Sequence, residues 1–201
     1  MPSPALEAAL ERSRRLGAFG PGPIADHIAH SAAFVQALEP IESGGVVLDL
    51  GSGGGLPGLV LIEARPDLQF VLLDAMEKRT ALLVEAVAAL GATARCQVIT
   101  GRAEEVGRSE LRGTAAAVTA RSFGPPGVTA ECAAPFLRVG GRLIVSEPPK
   151  PSERWPMAGV QVLGLALGAA SPGGVQVLEQ RTSCPEAYPR RNGIPAKRPL
   201  F

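Results

Sequence analysis

The chain is poor in aromatic residues, which make up only 4% of it, with one Trp, one Tyr and six Phe. A core must therefore be built mostly from Leu, Val and Ala. Cysteine is scarce too. Cys96, Cys132 and Cys184 stand far apart, and no pair has metal-ligand spacing, so reduced thiols are expected and a metal centre is not. No run reaches ~18 uninterrupted apolar residues, so no membrane span is expected. The N-terminus lacks the apolar segment of a secretory signal, which points to the cytoplasm. Strong net charge is absent as well. The balance is +1, yet Arg181 to Phe201 holds five Lys/Arg and one Glu, leaving the rest mildly acidic. A basic tail on an acidic body suits an anionic partner, and it equally suits a solvated tail.

What the sequence does have is glycine in one place. Asp49-Leu50-Gly51-Ser52-Gly53-Gly54-Gly55-Leu56-Pro57-Gly58 follows the β-branched run Val46-Val47-Leu48 and precedes an apolar helical stretch. This is a strand, a tight turn and a helix start. Such a turn brings a ligand against bare backbone, and the free amides beyond it favour a polar or anionic group. A phosphate loop is excluded, because no Lys-Ser/Thr follows the glycines.

The pattern around this turn predicts an α/β fold. Helices are expected over the first fifteen residues and from Ile24 to Leu38, separated by Pro21-Gly22-Pro23. Strands are expected at Val46–Leu50, Gln69–Leu73, Cys96–Thr100, Ala115–Ala120 and Arg142–Ser146. Helices are expected between them at Gly58–Ala64, Lys78–Leu90 and Gly127–Leu137. Strands alternating with helices give a parallel sheet with helices on both faces. After a loop at Pro148–Pro151, two β-like runs, Val160–Leu167 and Gly174–Arg181, flank a Ser-Pro-Gly-Gly turn and predict an antiparallel hairpin. The simplest division is a helical N-terminal extension over 1–40 and a cofactor-binding domain over 41–201 that ends in the basic tail.

Two acidic residues stand where a nucleoside cofactor would need them. Asp49 ends the first strand, where a carboxylate can hold an ammonium group and orient the turn. Asp74 follows the second strand, where it can accept hydrogen bonds from both ribose hydroxyls. With Gly51, Gly53 and Gly55 and the closing hairpin, these residues resemble the class I methyltransferases that bind S-adenosylmethionine. The expected fold is therefore their Rossmann-like sheet.

The resemblance narrows further. Leu56-Pro57-Gly58, Ala64-Arg65-Pro66, Leu73-Asp74 with Lys78-Arg79, Gly101-Arg102-Ala103-Glu104-Glu105 and Arg121-Ser122 are similar to the pattern of the bacterial 16S rRNA guanine-N7 methyltransferases, the glucose-inhibited division protein B family. The ending Tyr188-Pro189-Arg190-Arg191, Gly193, Pro195-Ala196-Lys197 and Pro199-Leu200 also resembles theirs, as does His27-Ile28 with Ser31. This resemblance implies that Gly51 and Leu56 line the methionine part of the cofactor and that Ala103 and Glu104 flank its adenine. It places Arg121 on the cofactor and substrate side of the transfer site. It implies that Arg190, Arg191, Lys197 and Arg198 contact rRNA phosphates, and that the partner is 16S rRNA or the small ribosomal subunit. A monomer with no membrane partner is expected.

Guanine N7 already carries a lone pair, so such a site needs alignment and dryness rather than a general base. His27 and His30, three apart on a helix, are read as structural, with no third metal ligand evident. Three departures from the family pattern stand out. The region before the glycine turn is short and lacks an asparagine-leucine-threonine motif, Ser146-Glu147-Pro148-Pro149 replaces a lysine-glycine pair, and Arg121-Ser122-Phe123-Gly124-Pro125-Pro126 after the fourth strand is altered. They leave two alternatives open: a methyltransferase for another RNA or a small molecule, and a non-catalytic RNA- or ribosome-binding module.

Overall fold

The computed structural model describes residues 2–19, 22–148, 154–168 and 174–201. Two helices come first, α1 (Pro4–Arg15) and α2 (Ile24–Ala37). The Ser3 hydroxyl caps α1 by accepting from the Leu6 amide at 3.2 Å. The alternating core follows: β1 (Val46–Leu50), α3 (Gly58–Ala64), β2 (Gln69–Asp74), α4 (Glu77–Ala89), β3 (Cys96–Thr100), α5 (Ala103–Val106), β4 (Ala115–Ala120), α6 (Pro126–Ala133) and β5 (Leu137–Ser146). A helical turn α7 (Met157–Gln161), strands β6 (Leu165–Leu167) and β7 (Val175–Gln180), and a last turn α8 (Ile194–Lys197) complete it.

The seven strands form one sheet in the order β3-β2-β1-β4-β5-β7-β6. β1 to β5 are parallel, and β7 runs antiparallel to both β5 and β6. The order reverses between β1 and β4, and such a switch point opens a crevice at the carboxyl edge of an α/β sheet. The central strand β4, Ala-Ala-Ala-Val-Thr-Ala, is buried along its whole length. Its small side chains let helices approach on both faces. On one face Leu6, Leu10, Phe34 and Leu38 of α1 and α2 join Leu59, Leu61 and Leu83 of α3 and α4 in a single apolar cluster. Helices α1 and α2 thus share their core with the sheet they precede. The other face packs Phe136, Cys132, Trp155 and Leu163 over Leu48, Val118 and Leu143.

Three sequence expectations change. The run Val160–Leu167 is not one strand. Pro156 starts a helical turn, and Gly164 (φ +78°) ends the segment that follows, so β6 keeps only three residues. The helix expected to reach Leu137 stops at Ala133 and passes into a 3₁₀ turn over Ala134–Phe136. Pro135 lacks the amide that a longer α-helix would use. β5 starts at Leu137 rather than Arg142, with a register shift opposite Ala115 and Ala117. The short helices α5 and α8 were not expected. Most of the Ser-Pro-Gly-Gly turn and of the Pro148–Pro151 loop lies outside the described residues.

Candidate functional site

Five strand ends converge on the carboxyl edge, and three cavities run along it. The first, about 190 Å³, lies between the ends of β1, β2 and β3. Leu50, Gly51, Leu73, Asp74, Ala103, Glu104, Phe123, Val128, Cys132 and Ala196 are among its walls. The second, about 250 Å³, covers the glycine turn and is bounded by Phe19, His27, Gly51–Gly54, Leu56, Arg79, Arg121 and Ser122. The third, about 410 Å³, lies beyond β4 and β5, between His30, Arg121–Phe123, Glu147, Arg154 and Trp155. Gly51 borders the first two, Arg121 and Ser122 the last two, and Phe123 the first and third. The three form one cleft.

The glycine turn is held by its two acids. The Asp74 carboxylate accepts from the Gly53 amide at 2.9 Å and from the Met76 amide at 2.9 Å, and Arg79 stands 3.7 Å away. It still lines the first cavity, and each of its oxygens keeps acceptor capacity beyond these bonds. Asp49 is placed differently. It is fully buried beneath the turn, accepting from the Thr119 hydroxyl at 2.7 Å and the Gly58 amide at 3.2 Å. Burial pushes its carboxyl up to about 6, against the hydrogen bonds that favour the charged form. It borders none of the three cavities and holds the turn from below through the Gly58 amide. Gly58 must be glycine here, since a Cβ would lie 2.6 Å from the Asp49 carboxylate. Gly51 is at φ +68°, and a Cβ there would enter the Phe123 ring at 2.6 Å.

The other expected residues are also located. Ala103 opens α5 at the first cavity, and its amide has no protein acceptor among the described residues. The buried Glu104 carboxylate accepts from the Gly193 amide at 3.0 Å, tying the C-terminal segment to this cavity. Cys132 is a neutral wall there, its thiol pushed up to about 12 by burial. Arg121 follows β4, and Ser122 beside it adopts the left-handed region (φ +55°), unusual for a residue with a side chain. This kink puts Arg121 and Phe123 at the junctions of the cleft. Phe123, Arg79 and Ser122 were not among the expected site residues. A lone Phe just past a strand end, in a chain so short of aromatics, was the available signal.

The basic tail divides into two kinds of residue. Arg190 makes a bidentate ion pair with the fully buried Glu131, at 2.8 and 2.6 Å, and its own amide donates to the same carboxylate. It is a structural clamp, not a free phosphate ligand. Arg112 adds to the clamp by donating to the carbonyls of Cys184 and Tyr188 at 2.8 and 2.9 Å. Arg191, Lys197 and Arg198 stay exposed beside the cleft. Glu147 is also occupied, by Arg154 at 3.0 Å and the Trp155 indole at 2.8 Å. Among the described residues no three His, Cys, Asp or Glu side chains gather to hold a metal ion.

The walls change in character along the edge: apolar at Leu73, Val128 and Phe123, acidic at Asp74, and cationic at Arg121 beside the glycine turn. Strand order, antiparallel β7 and such a cleft together define a class I methyltransferase. The cofactor-bound crystal structure of Rv0187 from MTB shares this fold, with a TM-score of 0.64 at 19% identity over 90% of this chain and 91% of that one. So does the antibiotic-resistance methyltransferase Kmr, with a TM-score of 0.57 at 17% identity over 81% of this chain and 95% of that one.

The family follows from sequence. A family model described as GidB, rRNA small subunit methyltransferase G, matches residues 21–153. The chain is 34% identical over 190 residues to the ribosomal RNA small subunit methyltransferase G of Syntrophomonas wolfei, covering 90% of this chain and 87% of that protein. It is 35% identical over 186 residues to the protein of that name from Moorella thermoacetica, covering 87% and 77%. The chain belongs to the rRNA small subunit methyltransferase G family.

Proposed function

We propose that this protein transfers a methyl group from S-adenosylmethionine to N7 of a guanine in 16S rRNA. Family membership supports the substrate class, and one observation carries the chemistry. The cofactor cavities and the acceptor cavity share Arg121, Ser122 and Phe123 as walls, which brings a methyl donor and an acceptor base to the same short segment after β4.

Asp74 accepts the ribose hydroxyls while keeping its hold on Gly53 and Met76. The Ala103 amide donates to the adenine edge, and Phe123 covers the slot. When bound, S-adenosylmethionine supplies an electrophilic methyl carbon on a positively charged sulfur. Arg121 orients the polar end beside the transfer point. The acceptor N7 needs no base to strip it, so alignment and exclusion of water account for the acceleration. His30 lies at the acceptor cavity, where burial first and the nearby Arg121 charge second lower its pKa. Arg191, Lys197 and Arg198 meet RNA phosphates around the opening.

Glu147 bears on the alternatives. Its oxygens are bonded to Arg154 and Trp155, so replacing the family's lysine-glycine pair presents no uncommitted carboxylate to RNA. The test is transfer of labelled methyl to small subunits lacking N7 methylation, with naked rRNA and a metabolite pool in parallel. Label in one guanine of the subunit is expected. Label only in the metabolite pool, or none together with no thermal stabilisation by the cofactor, overturns the reading.

A further inference from the structure

Helix α2 reaches the cleft through His27. The ring Nδ1 lies 2.7 Å from Arg121 Nη2, and the His27 carbonyl accepts from Arg121 Nη1 at 3.2 Å. A guanidinium only donates, so Nδ1 must be the acceptor and the imidazole must be the neutral form with its proton on Nε2. Arg121 has no carboxylate within ion-pair distance among the described residues, although it is partly buried. Its neighbour in the same cavity, Arg79, has Asp74. Arg121 is therefore the cation there that lacks a counter-ion, held by two contacts with other N–H groups to spare. Such an arrangement awaits an oxyanion. The ring that holds it is itself fastened: Phe19 lies against it with centroids 6.0 Å apart, and Phe19 is seated over Gly54, where a Cβ would come within 2.4 Å of it.

We propose that His27 is a positioning residue, which by accepting from Arg121 aims the remaining guanidinium N–H groups at the carboxylate of the cofactor's amino-acid end. The inference rests on Arg121 facing the cofactor. An RNA phosphate is the other source of an oxyanion at this point, and the arms of the experiment separate the two. The glycine turn beneath the same cavity favours the carboxylate, because bare backbone with free amides lets a small zwitterion approach closely.

The experiment is calorimetric titration of wild type, His27→Leu, His27→Asn and Arg121→Ala with two ligands. S-Adenosylhomocysteine carries the carboxylate, and 5′-methylthioadenosine lacks the whole amino-acid end. His27→Leu should weaken S-adenosylhomocysteine about tenfold, the scale of one charge-assisted hydrogen bond acting through a partner, and leave methylthioadenosine unchanged. His27→Asn should recover most of the loss, because its side-chain oxygen can take the place of Nδ1. Equal losses for both ligands, no loss, or no recovery with Asn would overturn the role of His27. If Arg121→Ala weakens S-adenosylhomocysteine and His27→Leu does not, the inference alone fails. If Arg121→Ala leaves both ligands untouched and raises only the KM for RNA, the cofactor-side placement of Arg121 fails with it.

Discussion

The floor of the cleft and its walls are built in opposite ways. In the floor the turn Gly51–Gly58, Asp49 and Asp74 lie within 26 residues of one another, and both acids accept from amides of that turn. Local chemistry dictates most of the floor. The walls depend on partners far apart in the chain. Arg121 and His27 are separated by 94 positions, Glu104 and Gly193 by 89, and Glu131 and Arg190 by 59. The same residue types, arginine and glutamate, serve as clamps in one place and face ligand space in another. What separates them is whether the fold supplies a buried counter-charge.

Breaking the clamp should give the largest effect. Arg190→Ala leaves Glu131 buried and unpaired, and a loss of about 3–5 kcal/mol in urea unfolding is expected. At the cofactor end, Asp74→Ala removes the ribose acceptor and should weaken cofactor binding about 30- to 1000-fold by calorimetry, or roughly 2–4 kcal/mol. Unchanged affinity would dissolve the distinction between the two acids of the turn. Asp49 sharpens it through pH. Its native pKa, about 6, lies above the unfolded value of 3.8, so the native state binds the proton more tightly and this group's contribution to stability falls as pH rises between those values. Asp49→Asn should therefore gain on wild type by up to about 3 kcal/mol as unfolding is measured from pH 4 to pH 7. The smallest effect belongs to the rim. Neutralising Arg191, Lys197 and Arg198 together should lower the log–log salt slope of RNA binding by about 2, with stability little changed. An unaltered slope would make them solvated charges and nothing more.

The cofactor end was readable because its signals are short-range. A β-branched run, a glycine turn and an acid after the next strand locate β1, α3 and Asp74 with little help from the rest of the chain. Resemblance to known relatives extended this to Ala103, Glu104 and Arg121. Spacing could not reveal that Asp49 lies under the turn, because Thr119, which holds it, is 70 positions away. Nor could charge alone show that Arg190 is paired while Arg191 has no ion-pair partner among the described residues. The run Val160–Leu167 misled for a related reason. Its apolar residues suit a strand, but Pro156 and Gly164 set the local backbone, and only three residues reach β7. His27 was weighed as half of a histidine pair, when its partner is an arginine on another element.

The tie between Glu104 and Gly193 also bears on the order of assembly. During synthesis the first four strands and their glycine turn can come together once about 120 residues have emerged, but the segment that carries Gly193 and Ala196 follows all seven strands. A nascent chain should thus bind its nucleoside weakly until that segment has emerged, then tighten as this flank closes. Ribosome-stalled chains of increasing length, assayed for retention of S-adenosylhomocysteine, should show a late step rather than a gradual rise.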